Sequence, residues 1–168
     1  TLMPNTFRVF FAGVYAISGL PFMSGFFSKD EILLYSYSGP YSGIFFFISA
    51  LIASFLTALY MHRLLFLVFY KEFRGGAEKA AHIHDAPAVM TVPLYVLAFF
   101  SVFSGFISLG KTSSFKSLLY AFEPRAVSEF VIPAVYSHAI TVLAVMIASA
   151  GAYTAYKIYI DKNNYLSI

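Results

Sequence analysis

Lys29, Asp30 and Glu31 stand in a row inside "GLPFMSGFFSKDEILL" (Gly19 to Leu34), in one of the most apolar parts of the 168-residue chain. A lysine beside carboxylates, away from bulk water, is a group that can load and release a proton. It is also costly: a Lys at the centre of a membrane helix costs about 2.5–3.5 kcal/mol on insertion scales. A straight helix would carry Lys29 toward the far interface, where it could snorkel and serve only as an anchor. The preceding residues argue otherwise. Pro21 removes a backbone donor and clashes with the turn before it, and Gly19 and Gly25 invite irregular backbone. Irregular backbone at membrane depth is tolerated only inside protein or beside a water-filled cavity. A break there draws Lys29 inward, and a broken helix beside an ionisable group is the pattern of ion pathways in transporters. The dipole of a second half-helix and the two neighbouring carboxylates would pull on Lys29 in opposite senses, which suits a proton carrier.

A second pair is His62 and Arg63, followed by the apolar run "LLFLVFY". Seven residues are about 10 Å of helix, so Arg63 is either an interface anchor or a pathway charge. His62 is its titrating neighbour. "HIHD" (His82 to Asp85) could begin a metal site, but no further ligand lies nearby and a solvated loop is the better reading. His138 reads as an interfacial histidine or a proton shuttle. No Gly-rich phosphate loop, nucleophile elbow or metalloprotease helix occurs. Without cysteine, thiolate chemistry, disulfides, iron–sulfur clusters and Cys-based zinc sites are excluded. No catalytic, metal-binding or cofactor-binding residue is therefore expected in this chain.

The elements that must position these groups are membrane helices. The chain is 60% hydrophobic and 11% charged, where soluble domains carry about 25% charged residues. The scattered basic residues form no nucleic-acid patch, so the expected surroundings are lipid and other helices. Apolar spans occur at about residues 8–37, 44–70, 86–110 and 130–158, the first of them discontinuous. Residues 1–168 thus read as one all-α transmembrane region with four transmembrane helices. Asp85 and Pro87 are expected to cap and open the third. Phe115, Leu118, Leu119 and Phe122 recur at helical spacing, so a short interfacial helix is expected between the third and fourth. Small residues are expected to let helices approach closely, either each other or neighbouring helices outside this sequence: Ser49, Ala53 and Thr57; Ser101, Gly105 and Ser108; Ala148, Gly151, Ala152 and Ala155. Four spans put both termini on one side, with Arg8, Lys71, Arg74, Lys79, Lys157 and Lys162, against Lys111, Lys116 and Arg125 on the other. The positive-inside rule makes the terminal side cytoplasmic or matrix.

"SGLPFMSGFFSKDEIL" (Ser18 to Leu33) closely resembles the broken twelfth helix of the antiporter-like subunit L of NADH:quinone oxidoreductase, respiratory complex I, whose mitochondrial counterpart is chain 5. "ALIASFLTALYMHRLLFLVFY" (Ala50 to Tyr70) looks like the next helix of that family, and "HDAPAVMTVPLYVLAFFSVFSGF" (His84 to Phe106) like the one after it. The resemblance implies a proton-translocating subunit. The lysine of its "SKD" motif, the terminal pathway residue, maps to Lys29, and the adjacent aspartate to Asp30. It implies no cofactor in this chain: NADH, flavin, iron–sulfur clusters and quinone belong to other subunits. The implied partners are the other membrane-arm subunits and the N-terminal part of the same subunit, whose helices this sequence lacks. The chain is therefore expected to be a C-terminal fragment or a split gene product. The expected location is a bacterial cytoplasmic membrane, with the mitochondrial inner membrane as the other possibility. Two alternatives stay open: a subunit of a multisubunit sodium/proton antiporter or membrane-bound hydrogenase, and a membrane scaffold that moves no ions.

Overall fold

The structure, a computed structural model, describes residues 3–21, 23–38, 43–71, 75, 83–107 and 134–161. The interfacial helix expected around Phe115 to Phe122, and His82, lie outside the described residues. Those described form five α-helices: α1 (Pro4–Ser18), α2 (Ser24–Ser38), α3 (Ile44–Phe69), α4 (Ala88–Ile107) and α5 (Ala134–Tyr159). The fold is all-α, as the composition predicts. α3, α4 and α5 are long and apolar enough to cross a membrane. α1 and α2 have 15 residues each, about 22 Å of helix apiece, and neither alone matches a bilayer core of about 30 Å. They form one interrupted run.

α3 and α5 run parallel and pack along most of their length. At Gly151 the two helices are in close contact: a Cβ there would lie 2.6 Å from the Phe55 carbonyl oxygen and 3.0 Å from Ala58 Cβ. Ala144, Ala148, Gly151 and Ala155 follow one another at helical spacing and are all buried. Lipid supplies no hydrophobic drive between helices, so close van der Waals packing across such small residues holds the pair together. The facing stripe on α3 is not the expected one. Ser49 and Ala53 are exposed, whereas Ser54 and Ala58 are buried. Both stripes are small, but the Ser49 and Thr57 hydroxyls donate to the Phe45 and Ala53 carbonyls of their own helix, at 2.8 and 2.7 Å. A hydroxyl satisfied in this way can face outward at little cost.

α1 runs antiparallel to α3. Their near ends meet in an aromatic cluster, with the Phe7 and Phe69 rings 5.3 Å apart. Val14, Leu65, Phe66 and Ala155 form the buried core beneath it, joined by Tyr159 and Ile160. The start of α1 and the ends of α3 and α5 therefore gather at one end of the molecule. A second cluster (Leu33, Phe47, Ile140, Ala144) holds α2 against α3 and α5.

α1 opens with Pro4, which suits a first turn because its missing N–H would have no helical partner. Its own N-cap, Met3, makes no side-chain cap bond, and no acidic residue sits in the first turn. The cap comes from far along the chain. The Asp85 carboxylate accepts the Asn5 N–H, the Thr6 N–H and the Thr6 hydroxyl, each at 3.2 Å. Asp85 thus caps α1 and not α4, a correction to the expectation: its side chain turns to the three donors α1 leaves open. At α4 the Pro87 carbonyl takes the Met90 and Thr91 N–H groups, at 2.9 and 3.1 Å. Partial burial pulls the Asp85 carboxyl upward, but the hydrogen bonds from Asn5 and Thr6 and the nearby Arg8 charge outweigh it, holding it below the usual carboxylate range.

Candidate functional site

The interruption between α1 and α2 follows from three residues, Gly19, Pro21 and Gly25. Gly19 adopts the left-handed conformation, φ 72°, which costs glycine nothing and other residues about 1–2 kcal/mol. The Gly19 N–H then reaches the Ala16 carbonyl at 3.2 Å and the Leu20 N–H the Tyr15 carbonyl at 3.4 Å. This is the Schellman pattern of helix termination, and Pro21 behind it prevents the helix from resuming. After one turn α2 starts at Ser24, alongside the last turn of α1, and runs on toward the starts of α3 and α5. Gly25 packs so closely on the Ala16 carbonyl oxygen that no side chain fits.

That close approach places Lys29. Its ammonium donates to the Ser18 carbonyl at 3.0 Å. Ser18 is the last residue of α1, and its carbonyl sits at the negative end of the helix dipole. Lys29 is therefore a C-terminal cap for the first half-helix, supplied by the second. Its stem crosses Gly19, where a Cβ would lie 2.6 Å from Lys29 Cδ. The Ser18 side chain is fully buried. Its hydroxyl has no hydrogen-bond partner among the described residues.

Asp30, one position on, is turned away from this seat by about 100° of helix. It takes a hydrogen bond from the Thr141 side chain on α5. Its Oδ1 is buried and has no hydrogen-bond partner among the described residues. Glu31 is half-buried. His62 is buried on α3, its Nδ1–H donating to the Ala58 carbonyl at 2.8 Å. A neutral ring that donates from Nδ1 keeps Nε2 as an acceptor. Its ring centroid is 5.8 Å from that of Tyr15, one helical turn below Ser18 on α1. His62 and Lys29 thus abut the same end of α1 from different helices.

Arg63 is elsewhere. It is exposed on this chain and lies over the Tyr159 ring, 5.6 Å from its centroid, at the end of α5. His84 is exposed, with Nδ1 3.1 Å from the Asp85 carbonyl, and His138 is exposed. Among the described residues no three His, Asp or Glu side chains gather in a way that could hold a metal ion. The sequence reading missed Ser18, Thr141 and the reach of Asp85. Gly19 followed by Pro21 could have marked the Schellman stop, and so Ser18 as the carbonyl left for capping. Nothing in the letters pairs Thr141 with Asp30.

These features define an all-α, multi-pass membrane protein with a lysine seated in a helix break. No protein-family model matches the chain. Over most of its length the chain is homologous to proteins named chain 5 or subunit L of NADH:quinone oxidoreductases. NADH-ubiquinone oxidoreductase chain 5 of Marchantia polymorpha is 32% identical over 167 residues, covering 94% of this chain and 24% of that protein. The chloroplastic NAD(P)H-quinone oxidoreductase subunit 5 of Mesostigma viride is 37% identical over 172 residues, 96% of this chain and 25% of that one. NADH-quinone oxidoreductase subunit L of Rickettsia bellii (strain RML369-C) is 41% identical over 105 residues, 62% of this chain and 16% of that one. The chain spans about a quarter of the length of the first two.

Proposed function

We propose that the chain is part of a proton-translocating subunit of NADH:quinone oxidoreductase, with Lys29 as its proton carrier. One observation carries this: the ammonium of Lys29 is held by a backbone carbonyl at a helix break, 3.0 Å from Ser18. An ammonium seated on a neutral acceptor can give up its proton without leaving a carboxylate stranded. In the proposed step Lys29 passes one proton to water in the break and keeps the electron pair as a neutral amine. It is then reloaded from the side of α1 that His62 abuts. Asp30, on the α5 side, is the next acceptor. Arg63, beside Tyr159, sets the charge at the end of the molecule where α3 and α5 finish.

The chain itself carries no redox cofactor in this reading. It works with the other membrane-arm subunits and with the rest of its own subunit, in a bacterial cytoplasmic membrane, both termini inside. Deleting the coding sequence and assaying inside-out membrane vesicles tests the assignment. NADH-driven proton uptake should be lost and return when the sequence is restored. Intact NADH-driven uptake, with loss only of sodium/proton exchange, would place the chain in an antiporter instead. Loss of neither would leave a scaffold.

A further inference from the structure

α4 touches both half-helices, each near its beginning. At its own start the Asp85 carboxylate holds the Asn5 N–H, Thr6 N–H and Thr6 hydroxyl, and the Tyr95 hydroxyl donates to Asn5 Oδ1 at 3.2 Å. Near its far end Gly105 is buried, and a Cβ there would lie 2.8 Å from Ser24 Cα and 2.6 Å from the Phe27 ring. Ser24 is the first residue of α2. Asp85 lies three residues before α4, and from Ala88 to Gly105 is about 25 Å of helix. α4 is thus laid across the break like a splint. Among the described residues its remaining surface is largely exposed, and these two attachments tie it to the joint.

We propose that Asp85 is a positioning residue for the Lys29 site. This rests on the reading of Lys29 as the proton carrier. Asp85 fixes the height of α1 against α4, and α1 is a rigid rod that ends at Ser18. Gly105 fixes the height of α2 against the same helix, and α2 carries Lys29 in its second turn. The seat between Lys29 Nζ and the Ser18 carbonyl is therefore set from both sides by α4. Releasing Asp85 lets α1 slide and opens the seat about 20 Å away, although Asp85 touches neither partner.

The test uses the complete subunit in its assembly, as Asp85→Ala, Asp85→Asn and Lys29→Ala at matched abundance. The readouts are NADH-driven proton uptake and its pH profile in sealed vesicles. Asp85→Ala should lower uptake about threefold or more, within the range that loss of an N-cap spans as a population change, and should move the pH profile. Asp85→Asn, whose amide oxygen still accepts backbone N–H groups, should restore most of both. Wild-type uptake in Asp85→Ala beside impaired Lys29→Ala would overturn the splint and leave the site standing. A lowered rate with an unmoved pH profile would also overturn it, because Asp85 would then support stability alone. Wild-type uptake in Lys29→Ala would remove the reading on which the proposal rests.

Discussion

Gly19→Ala should unseat Lys29. The new Cβ meets two obstacles. The backbone at Gly19 is left-handed, φ 72°, which costs an alanine about 1–2 kcal/mol. The Cβ also falls 2.6 Å from Lys29 Cδ, well inside ordinary contact distance, so the lysine stem must move. If it moves off the Ser18 carbonyl, a hydrogen bond from a charged donor is lost, worth about 1.5–3 kcal/mol. The whole change then costs about 2.5–5 kcal/mol, against about 1–2 kcal/mol if only the backbone is strained. A double-mutant cycle with Lys29→Ala separates the two, read by equilibrium unfolding of the subunit in mild detergent. The two changes should be non-additive by about 1.5–3 kcal/mol, because removing the lysine removes the contact that Gly19→Ala disturbs. Additivity within about 0.5 kcal/mol would refute the reasoning, since Lys29 would then sit free of Gly19.

Gly151→Val should push α5 off the Phe55 carbonyl and the Ala58 methyl, at about 1–3 kcal/mol from overpacking; a lower melting temperature in detergent, with normal unfolding of a Ser149→Ala control on the exposed face, is the expected result. The Asp85 clamp should be insensitive to pH from neutrality down to the ordinary carboxylate range. Its carboxyl is held below that range in the folded chain, so its contribution is present above the unfolded value of about 4 and is lost as pH falls through the lower folded value. Protection of the Thr6 amide against hydrogen exchange, corrected for intrinsic rate, should therefore drop only in acid, and Asp85→Asn should remove that step.

The discontinuity of the first span was legible because it is written in backbone-restricting residues: Gly19 supplies the left-handed turn and Pro21 stops the helix. The small-residue face of α5 was legible too, since Ala148, Gly151 and Ala155 repeat at helical spacing. On α3 the same reasoning chose the outward stripe, because Ser49, Ala53 and Thr57 look no different from Ser54 and Ala58 until local hydrogen bonds are counted. Lys29 stands out in the sequence as a charge in apolar surroundings. Its acceptor does not, since a backbone carbonyl has no letter of its own. The Asp85 clamp was hidden for another reason: its partners, Asn5 and Thr6, lie about 80 residues away, and an aspartate two residues before a proline reads locally as the cap of the next helix.

The central claim is that Lys29 carries the proton. Its most direct test is acid uptake by inside-out vesicles, driven by NADH and followed with a pH-sensitive dye, for Lys29→Ala and Lys29→Arg in the complete subunit at matched abundance. Lys29→Ala removes the titrating group, and Lys29→Arg keeps the charge but cannot release it near neutral pH. Both should lose most proton uptake while the subunit still assembles. Uptake by Lys29→Arg equal to wild type, with loss only in Lys29→Ala, would mean that the cation serves as a fixed cap for α1 and that protons cross elsewhere.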